Sequence, residues 1–337
     1  MKLKFFYYNL PGKYIAQEPL QNRDNSKLLV LDKKTGKINH DIFFNIDKYL
    51  ESEDILVINE SRVEKCRLIG RKEDTGAKIE CFVIKKIWGK KYLVLLRPSK
   101  RLKVGSKVIV GKYYFIVESK QDYGKAIVKF SNAAKEIFTS YGKMPIPPYI
   151  KKTSIDPDRY QTIYARKKGS VAAPTAGLHF TLNLIKKIRK GNIKFAKVRL
   201  DIGLDTFRPI TESEIEQHKI HSEYYYISKK EAEKINRAKS NGGRVIAVGT
   251  TTTRVLETVM TKYGYLRNDS GNTNLYIYPG YKFKLIDCMI TNFHLPYSTL
   301  LIMVSAFAGR KNIINSYNEA KLKNYRFYSF GDCMFIK

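Results

Sequence analysis

The sequence predicts an α/β protein interrupted, between residues 63 and 149, by a small basic β-barrel. Three observations predict it. Apolar strand runs alternate with helix-spaced segments before residue 62 and again after residue 150. Between them, short β-rich runs follow one another at the intervals of a small barrel, separated by Gly or charged turns. The charge is also uneven: residues 62–150 hold 21 Lys and Arg against 7 Asp and Glu, a net of +14, while the other 248 residues carry +17. A chain of 337 residues has room for about two domains. The expected organisation is a discontinuous α/β domain, 1–62 plus 150–337, around an insert at 63–149.

In the first segment Lys27 to Leu31 reads as a strand and Thr35-Gly36 as a turn. Asp41 to Leu50, with Ile42, Ile46 and Leu50 at helical spacing, predicts a helix, and Ile55 to Ile58 a buried strand. In the insert, strands are predicted at Lys78 to Ile84, Lys91 to Leu96, Lys107 to Val110, Tyr113 to Val117 and Ala126 to Phe130, then a helix at Ser131 to Tyr141. The stiff Met144-Pro145-Ile146-Pro147-Pro148-Tyr149 closes it. Beyond it, Thr181 caps a helix ending at Gly191, and Phe195 to Leu200 is a strand. Ser228 to Glu231 is a capping box for a helix to Ser240. Arg244 to Val248 is a buried strand followed by a helix over Thr252 to Thr261. A strand at Leu285 to Ile290 and helices at Ser298 to Ala308 and Asn312 to Lys323 complete the pattern.

Composition narrows the class. No stretch reaches the ~18 uncharged apolar residues of a membrane helix; the best, Leu295 to Phe307, is too short. The first ten residues lack the pattern of a secretory leader, so a cytoplasmic location is expected. Cys66, Cys81, Cys288 and Cys333 have neither zinc-ribbon nor disulfide-framework spacing and read as buried thiols. The net charge of +31 attracts polyanions. Only 17 of the 62 basic residues are Arg, so a general drift toward Lys competes as an explanation. Drift alone does not concentrate charge in the insert.

Four stretches carry chemistry. Gly169 to Phe180, GSVAAPTAGLHF, is a long small-residue loop that lets backbone approach a ligand and delivers His179 at a helix start; tight packing is the alternative. His218-Lys219-Ile220-His221-Ser222-Glu223 offers two histidines and a carboxylate for acid–base work, a metal, or a structural network. Val248 to Arg254, VGTTTTR, runs from a buried strand through Gly249 and hydroxyls into a helix N-terminus suited to a carboxylate or phosphate. It lacks the Lys of a P-loop, and no G-x-G-x-x-G occurs. Thr291-Asn292-Phe293-His294-Leu295-Pro296 puts an aromatic ring beside hydrogen-bonding groups, as a purine pocket needs.

Together these strings resemble the S-adenosylmethionine:tRNA ribosyltransferase-isomerase family of the queuosine pathway. The resemblance runs from Leu10-Pro11 and Arg23-Asp24 through Asn59-Glu60-Ser61-Arg62-Val63, Arg159-Tyr160-Gln161-Thr162, the four stretches above, Tyr278-Pro279-Gly280 and Ser305 to Gly309, to Gly331-Asp332. It implies a barrel-like α/β catalytic domain interrupted by an inserted small β-barrel domain. It further implies S-adenosyl-L-methionine as co-substrate and, as partner, a tRNA whose wobble base is 7-aminomethyl-7-deazaguanine. The ribosyl part is transferred and isomerised, giving epoxyqueuosine-tRNA with release of adenine and methionine. No metal, no membrane and no obligate protein partner are expected, and the chain is expected to act as a monomer.

The chemistry explains the residue types. A sulfonium acidifies the neighbouring ribosyl carbon, so a modest base suffices; adenine must be assisted out; the incoming amine must be neutral. His179, His221, Glu223 and His294 are the catalytic candidates. The substrate-binding candidates are Asn59, Arg62, Ser170, Pro174, Thr175, Ala176, Gly177, Phe180, Phe207, Gly249, Thr250, Thr251, Arg254, Asn292 and Phe293. Two positions depart from the family pattern: Asp201 stands for a histidine and Asp205 for a small glycine. The competing readings are a non-catalytic tRNA-binding protein, a methyltransferase, which would need a glycine-rich loop, and a metal hydrolase on His218 and His221.

Overall fold

The computed structural model describes residues 1–147, 149–151, 156–203 and 210–337. Two compact units result, Met1–Arg62 with Pro147–Lys337, and Val63–Ile146. In chain order the strands of the first segment are β1 (Lys27–Leu31), β2 (Ile38–Ile42), β3 (Ile55–Asn59) and β4 (Ser61–Val63). The smaller unit contributes β5 (Arg67–Lys72), β6 (Lys78–Trp88), β7 (Lys91–Arg97), β8 (Lys107–Val110), β9 (Tyr113–Lys120), β10 (Lys125–Phe130) and helix α1 (Ala134–Tyr141). The chain then forms β11 (Lys167–Ser170), α2 (Leu182–Lys190), β12 (Lys194–Leu200), β13 (Glu223–Ile227), α3 (Lys229–Ser240), β14 (Val245–Val248) and α4 (Thr250–Tyr263). Last come β15 (Asp269–Thr273), β16 (Cys288–Asn292), α5 (Thr299–Ala308), α6 (Arg310–Leu322) and β17 (Cys333–Ile336).

In the smaller unit six strands close into a barrel in the order β10-β7-β6-β5-β8-β9. Alternate residues fill it, among them Leu68, Ile79, Val94, Val108, Phe115 and Val128, all fully buried. Gly70 is needed there because a Cβ would lie 2.6 Å from the Ile109 carbonyl oxygen.

The larger unit is built on a nine-stranded sheet in the order β15-β13-β12-β3-β14-β16-β17-β1-β2. The adjacent strands β12, β3, β14 and β16 run parallel, so their carboxyl ends share one edge. β3 and β14 are buried along their whole length, as strands covered on both faces must be. Successive side chains take opposite faces: Ile55 and Val57 join one core with α3, α4, α5 and α6, while Leu56 and Ile58 join another with α2. Thr181 accepts the Leu184 N–H and Ser228 the Glu231 N–H, capping α2 and α3 as expected. The capping box is half formed, because the Glu231 carboxylate accepts the Lys197 N–H instead.

Two expectations need correction. The helix over Asp41 to Leu50 is instead the end of β2 followed by 3-10 turns over Phe43–Tyr49. Pairing of β2 with β1 continues to Ile42, which is exposed, and the Asp41 carboxylate takes the Ile42 N–H and the Asn45 and Tyr49 side chains. The strand expected at Leu285 begins at Cys288, since the buried Glu257 carboxylate claims the N–H groups of Lys284, Leu285 and Ile286. All four cysteines are buried and free. Among the described residues no helix is long and apolar enough to cross a membrane.

Candidate active site

Sheets with parallel strands take their ligands outside the strands' carboxyl ends. There, a narrow cleft with about 50 Å³ of free volume is lined by Ala172 to Ala176, Ile202, Gly249 to Thr251, Thr291, Asn292, His294, Leu300, Tyr328 and Ser329. β12 delivers Ile202, β14 delivers Gly249 and the start of α4, β16 delivers Asn292 and His294, and Asn59 ends β3 between them. The small-residue loop after β11 supplies the wall. Among the described residues no Asp, Glu, Lys or Arg lines the cleft, which suits a cationic sulfonium better than a cationic wall would.

The VGTTTTR stretch forms the floor. Gly249 precedes α4 at φ 92°, a conformation that L side chains rarely adopt. Thr252 and Thr253 turn inward and donate to the carbonyls of Val248 and Gly249, leaving Thr250 and Thr251 to face the cleft. The N–H groups of the first turn have no carbonyl of their own helix to bind, and the helix dipole favours an anion there. Asn59 ties this floor to β12: its amide takes the N–H and carbonyl of Leu200 and donates to Thr251 Oγ1 at 3.4 Å. Ser170 accepts the Ile202 N–H at 2.8 Å and so fixes that wall residue.

Asn292 is held from behind by His179. The Asn292 amide nitrogen donates to the backbone carbonyls of Tyr328 and Asp332 and to His179 Nε2 at 3.0 Å. Carbonyls cannot donate, so the amide orientation is fixed and His179 Nε2 is an acceptor. Its proton then sits on Nδ1, pointing at Ser26 Oγ, 2.7 Å away. Asn292 Oδ1 accepts the Thr175 hydroxyl at 3.0 Å, so Thr175 turns only lone pairs toward the cleft. His179 itself is fully buried against Phe43 and does not line the cleft. Burial, with the Arg23 and Arg326 charges, holds its pKa well below the usual value.

His294 does line the cleft. Its Nε2 lies 2.8 Å from Thr291 Oγ1, and burial pushes its pKa down to about 3, so the ring is neutral. The Tyr8 and Tyr317 hydroxyls grip its carbonyl and N–H.

His221 and Glu223 meet at Gly203, next in the chain to the wall residue Ile202, and do not themselves line the cleft. His221 Nε2 is 2.9 Å from Glu223 Oε1, which also accepts the Gly203 N–H at 2.8 Å, while Arg254 pairs with the other carboxylate oxygen. Burial pushes the Glu223 carboxyl up, but the His221 hydrogen bond and the Arg254 charge outweigh it and hold it at about 2. Arg254 is buried, with its remaining donors on the carbonyls of Leu275 and Thr273. Asp201 is taken up by Arg199 in a two-pronged pair at 2.6 and 2.8 Å. His218 pairs with Glu212.

Other candidates lie elsewhere. Phe180 packs against Phe43 and Phe195, and Phe293 against Tyr317, Tyr325 and Phe327, and neither lines the strand-end cleft. Gly177 is a packing glycine, since a Cβ would come within 2.0 Å of the Tyr164 hydroxyl. Arg62 is exposed. Phe207 and Asp205 lie outside the described residues. Tyr328 and Ser329 were not read from the sequence. They precede β17, which runs antiparallel to β16 and so starts at the same edge; Tyr328 at φ 76° is the only local signal, and it is conformational. A second, more open groove of about 450 Å³ runs along Asn22, Arg23, Arg159, Phe180, Thr181 and Asn183.

Fold and site together define an α/β enzyme with a cleft at the strand ends and a basic barrel as a separate unit. The chain belongs to the queuosine biosynthesis protein family, whose model matches residues 3–336. It is 52% identical over its whole length to the S-adenosylmethionine:tRNA ribosyltransferase-isomerase of a Thermoanaerobacter species, and 50% identical to that of Acetivibrio thermocellus, in both cases covering all of either chain. A crystal structure of S-adenosylmethionine tRNA ribosyltransferase from Thermotoga maritima matches 99% of this chain and all of that one, at 36% identity and a TM-score of 0.59.

Proposed function

We infer that this chain is a tRNA ribosyltransferase-isomerase of queuosine synthesis, acting in the cytoplasm. It moves the ribosyl part of S-adenosylmethionine onto 7-aminomethyl-7-deazaguanine at the wobble position of tRNA, and adenine and methionine leave. The single observation that carries the site assignment is the convergence of five distant segments on one cleft beside the N-terminus of α4, with no charged side chain among its described lining residues.

In this reading the methionine carboxylate sits at the α4 N-terminus near Thr250 and Thr251. Adenine lies along the Thr175, Asn292 and His294 side, where Thr175 accepts a hydrogen bond from a base N–H. His294, neutral in the working pH range, polarises without repelling the sulfonium. His221, oriented through Nε2 by the ionised Glu223, takes the proton from the ribosyl carbon next to sulfur. The resulting carbanion, stabilised by sulfur, starts the expulsion of adenine; the neutral amine of the modified base then attacks. His179 acts through Asn292 as a positioning residue.

Adenine release tests this. Purified protein incubated with S-adenosylmethionine should release adenine only when tRNA carrying the aminomethyl base is present. S-adenosylhomocysteine in place of adenine would make the chain a methyltransferase, and tRNA binding without either product would make it a binding protein.

A further inference from the structure

The β6–β7 hairpin of the barrel carries an aromatic group where folding gives it nothing to do. β6 is eleven residues long; Cys81, Phe82 and Val83 are buried, Ile84 is half-buried, and every residue from Lys85 to Lys90 is exposed. Pairing with β7 shifts register twice, between Val83 and Lys85 and between Lys86 and Trp88, and such bulges re-aim side chains. Trp88 pairs with Lys91 across a two-residue turn, Gly89-Lys90, with Gly89 at φ 52°. At this tip the Trp88 indole is 76% exposed and Ile87 beside it 47%.

The tip's charge says what it is for. Lys85, Lys86, Lys90 and Lys91 fall within seven residues. Lys91 is neutralised by Glu118, and Lys90 reaches the Ser131 carbonyl. Among the described residues no carboxylate pairs with Lys85 or Lys86. An exposed apolar pair ringed by uncompensated ammonium groups fits a polyanion that also presents flat rings. Unpaired RNA does both, because its bases stack on aromatic side chains while phosphates meet lysines. A duplex offers the charge without the rings.

We propose that this hairpin tip is an RNA-docking element: Trp88 stacks on an unpaired base of the tRNA other than the one modified, and Lys85, Lys86 and Lys90 meet the adjoining phosphates. The identity of the RNA rests on the tRNA reading above; the hairpin's geometry does not.

Trp88 is the only tryptophan in the chain, so indole fluorescence of the native protein reports on this tip alone. Titration with an unmodified tRNA transcript should quench it saturably, and an RNA duplex of equal charge should quench it much less. Trp88→Ala should weaken tRNA binding by roughly 5- to 150-fold, the range of one base–aromatic stack, with Trp88→Phe keeping most of the affinity. Lys85→Ala with Lys86→Ala should flatten the salt dependence of binding. In turnover, W88A should raise KM for tRNA and leave kcat at saturating tRNA unchanged. Several results overturn the proposal: native tRNA affinity in W88A, equal quenching by duplex, a blue shift with vesicles of phosphatidylglycerol but not with tRNA, or emission that changes with protein concentration alone. A chain that releases no adenine yet shows the tRNA quenching and its loss in W88A refutes the proposed reaction and leaves the hairpin standing. Adenine release with full tRNA affinity in W88A does the reverse.

Discussion

Replacing His179 by alanine should loosen the wall of the cleft while leaving its proton chemistry alone. The imidazole is fully buried, bonds Ser26 Oγ at 2.7 Å and Asn292 at 3.0 Å, and packs 5.2 Å from the Phe43 ring centroid. Truncating a large buried side chain costs ~2–5 kcal/mol, and the stranded Ser26 hydroxyl adds ~1–3 kcal/mol. Asn292 keeps the Tyr328 and Asp332 carbonyls, so it adds little. The two terms overlap, and a loss of about 3–5 kcal/mol is expected, a large part of the ~5–15 kcal/mol that holds a typical protein folded. Urea unfolding of the full chain measures it. Activity per folded molecule should fall about tenfold, the ~1.4 kcal/mol of a less ordered Asn292–Thr175 pair, rather than the 10²–10⁴-fold of a lost proton-transfer group. Because burial and the Arg23 and Arg326 charges already keep the ring neutral, the pH profile of adenine release should keep its shape. His179→Gln, which can still accept from Asn292, should recover part of both losses. A His179→Ala protein of native stability that has lost a thousandfold in turnover, or one missing a limb of its pH profile, would refute this reasoning.

Other outcomes follow from the same geometry. Glu223 is held at about 2 against an ordinary 4.5. A depressed carboxyl stabilises the fold above its unfolded pKa, so about 3 kcal/mol should be present at neutral pH and drain away as pH falls from 4.5 toward 2. Glu223→Gln should lose stability of that order at pH 7 and flatten the acid limb of the unfolding curve; an unchanged limb would contradict the assignment. The same variant should depress kcat more than it raises KM for S-adenosylmethionine, since it disturbs the orientation of His221. Gly177→Ala should destabilise by ~1–3 kcal/mol through the clash with Tyr164, and turnover of the folded fraction should stay near native. A stable Gly177→Ala protein that no longer binds S-adenosylmethionine would return that glycine to the ligand.

Signals that lie within one stretch of chain were legible. The apolar runs at β1, β3 and β14, the caps Thr181 and Ser228, and the barrel strands β7 and β8 all show themselves locally. β2, β4, the barrel strand β5, β11, β13, β15 and β17 were missed. β13 and β15 are short and half-exposed, defined by the partner they pair with, and β17 is a brief run at the chain's end. Within the site, sequence named the loops that converge but not which atoms face inward. His179 and His294 look alike as sequence, yet one stands behind the wall and the other on it. Phe293 next to His294 suggested a stacking ring, but alternation along the chain after β16 sends it into the core. Of the four threonines, helical geometry turns two back onto carbonyls, a distinction spacing alone does not give.

A crystal structure of the chain with S-adenosylmethionine puts the question most directly. The nucleoside should lie among Thr175, Asn292 and His294, with its amino-acid carboxylate at Thr250 and Thr251. Nucleoside density in the groove beside Arg23 and Arg159, with the strand-end cleft empty, would contradict the account.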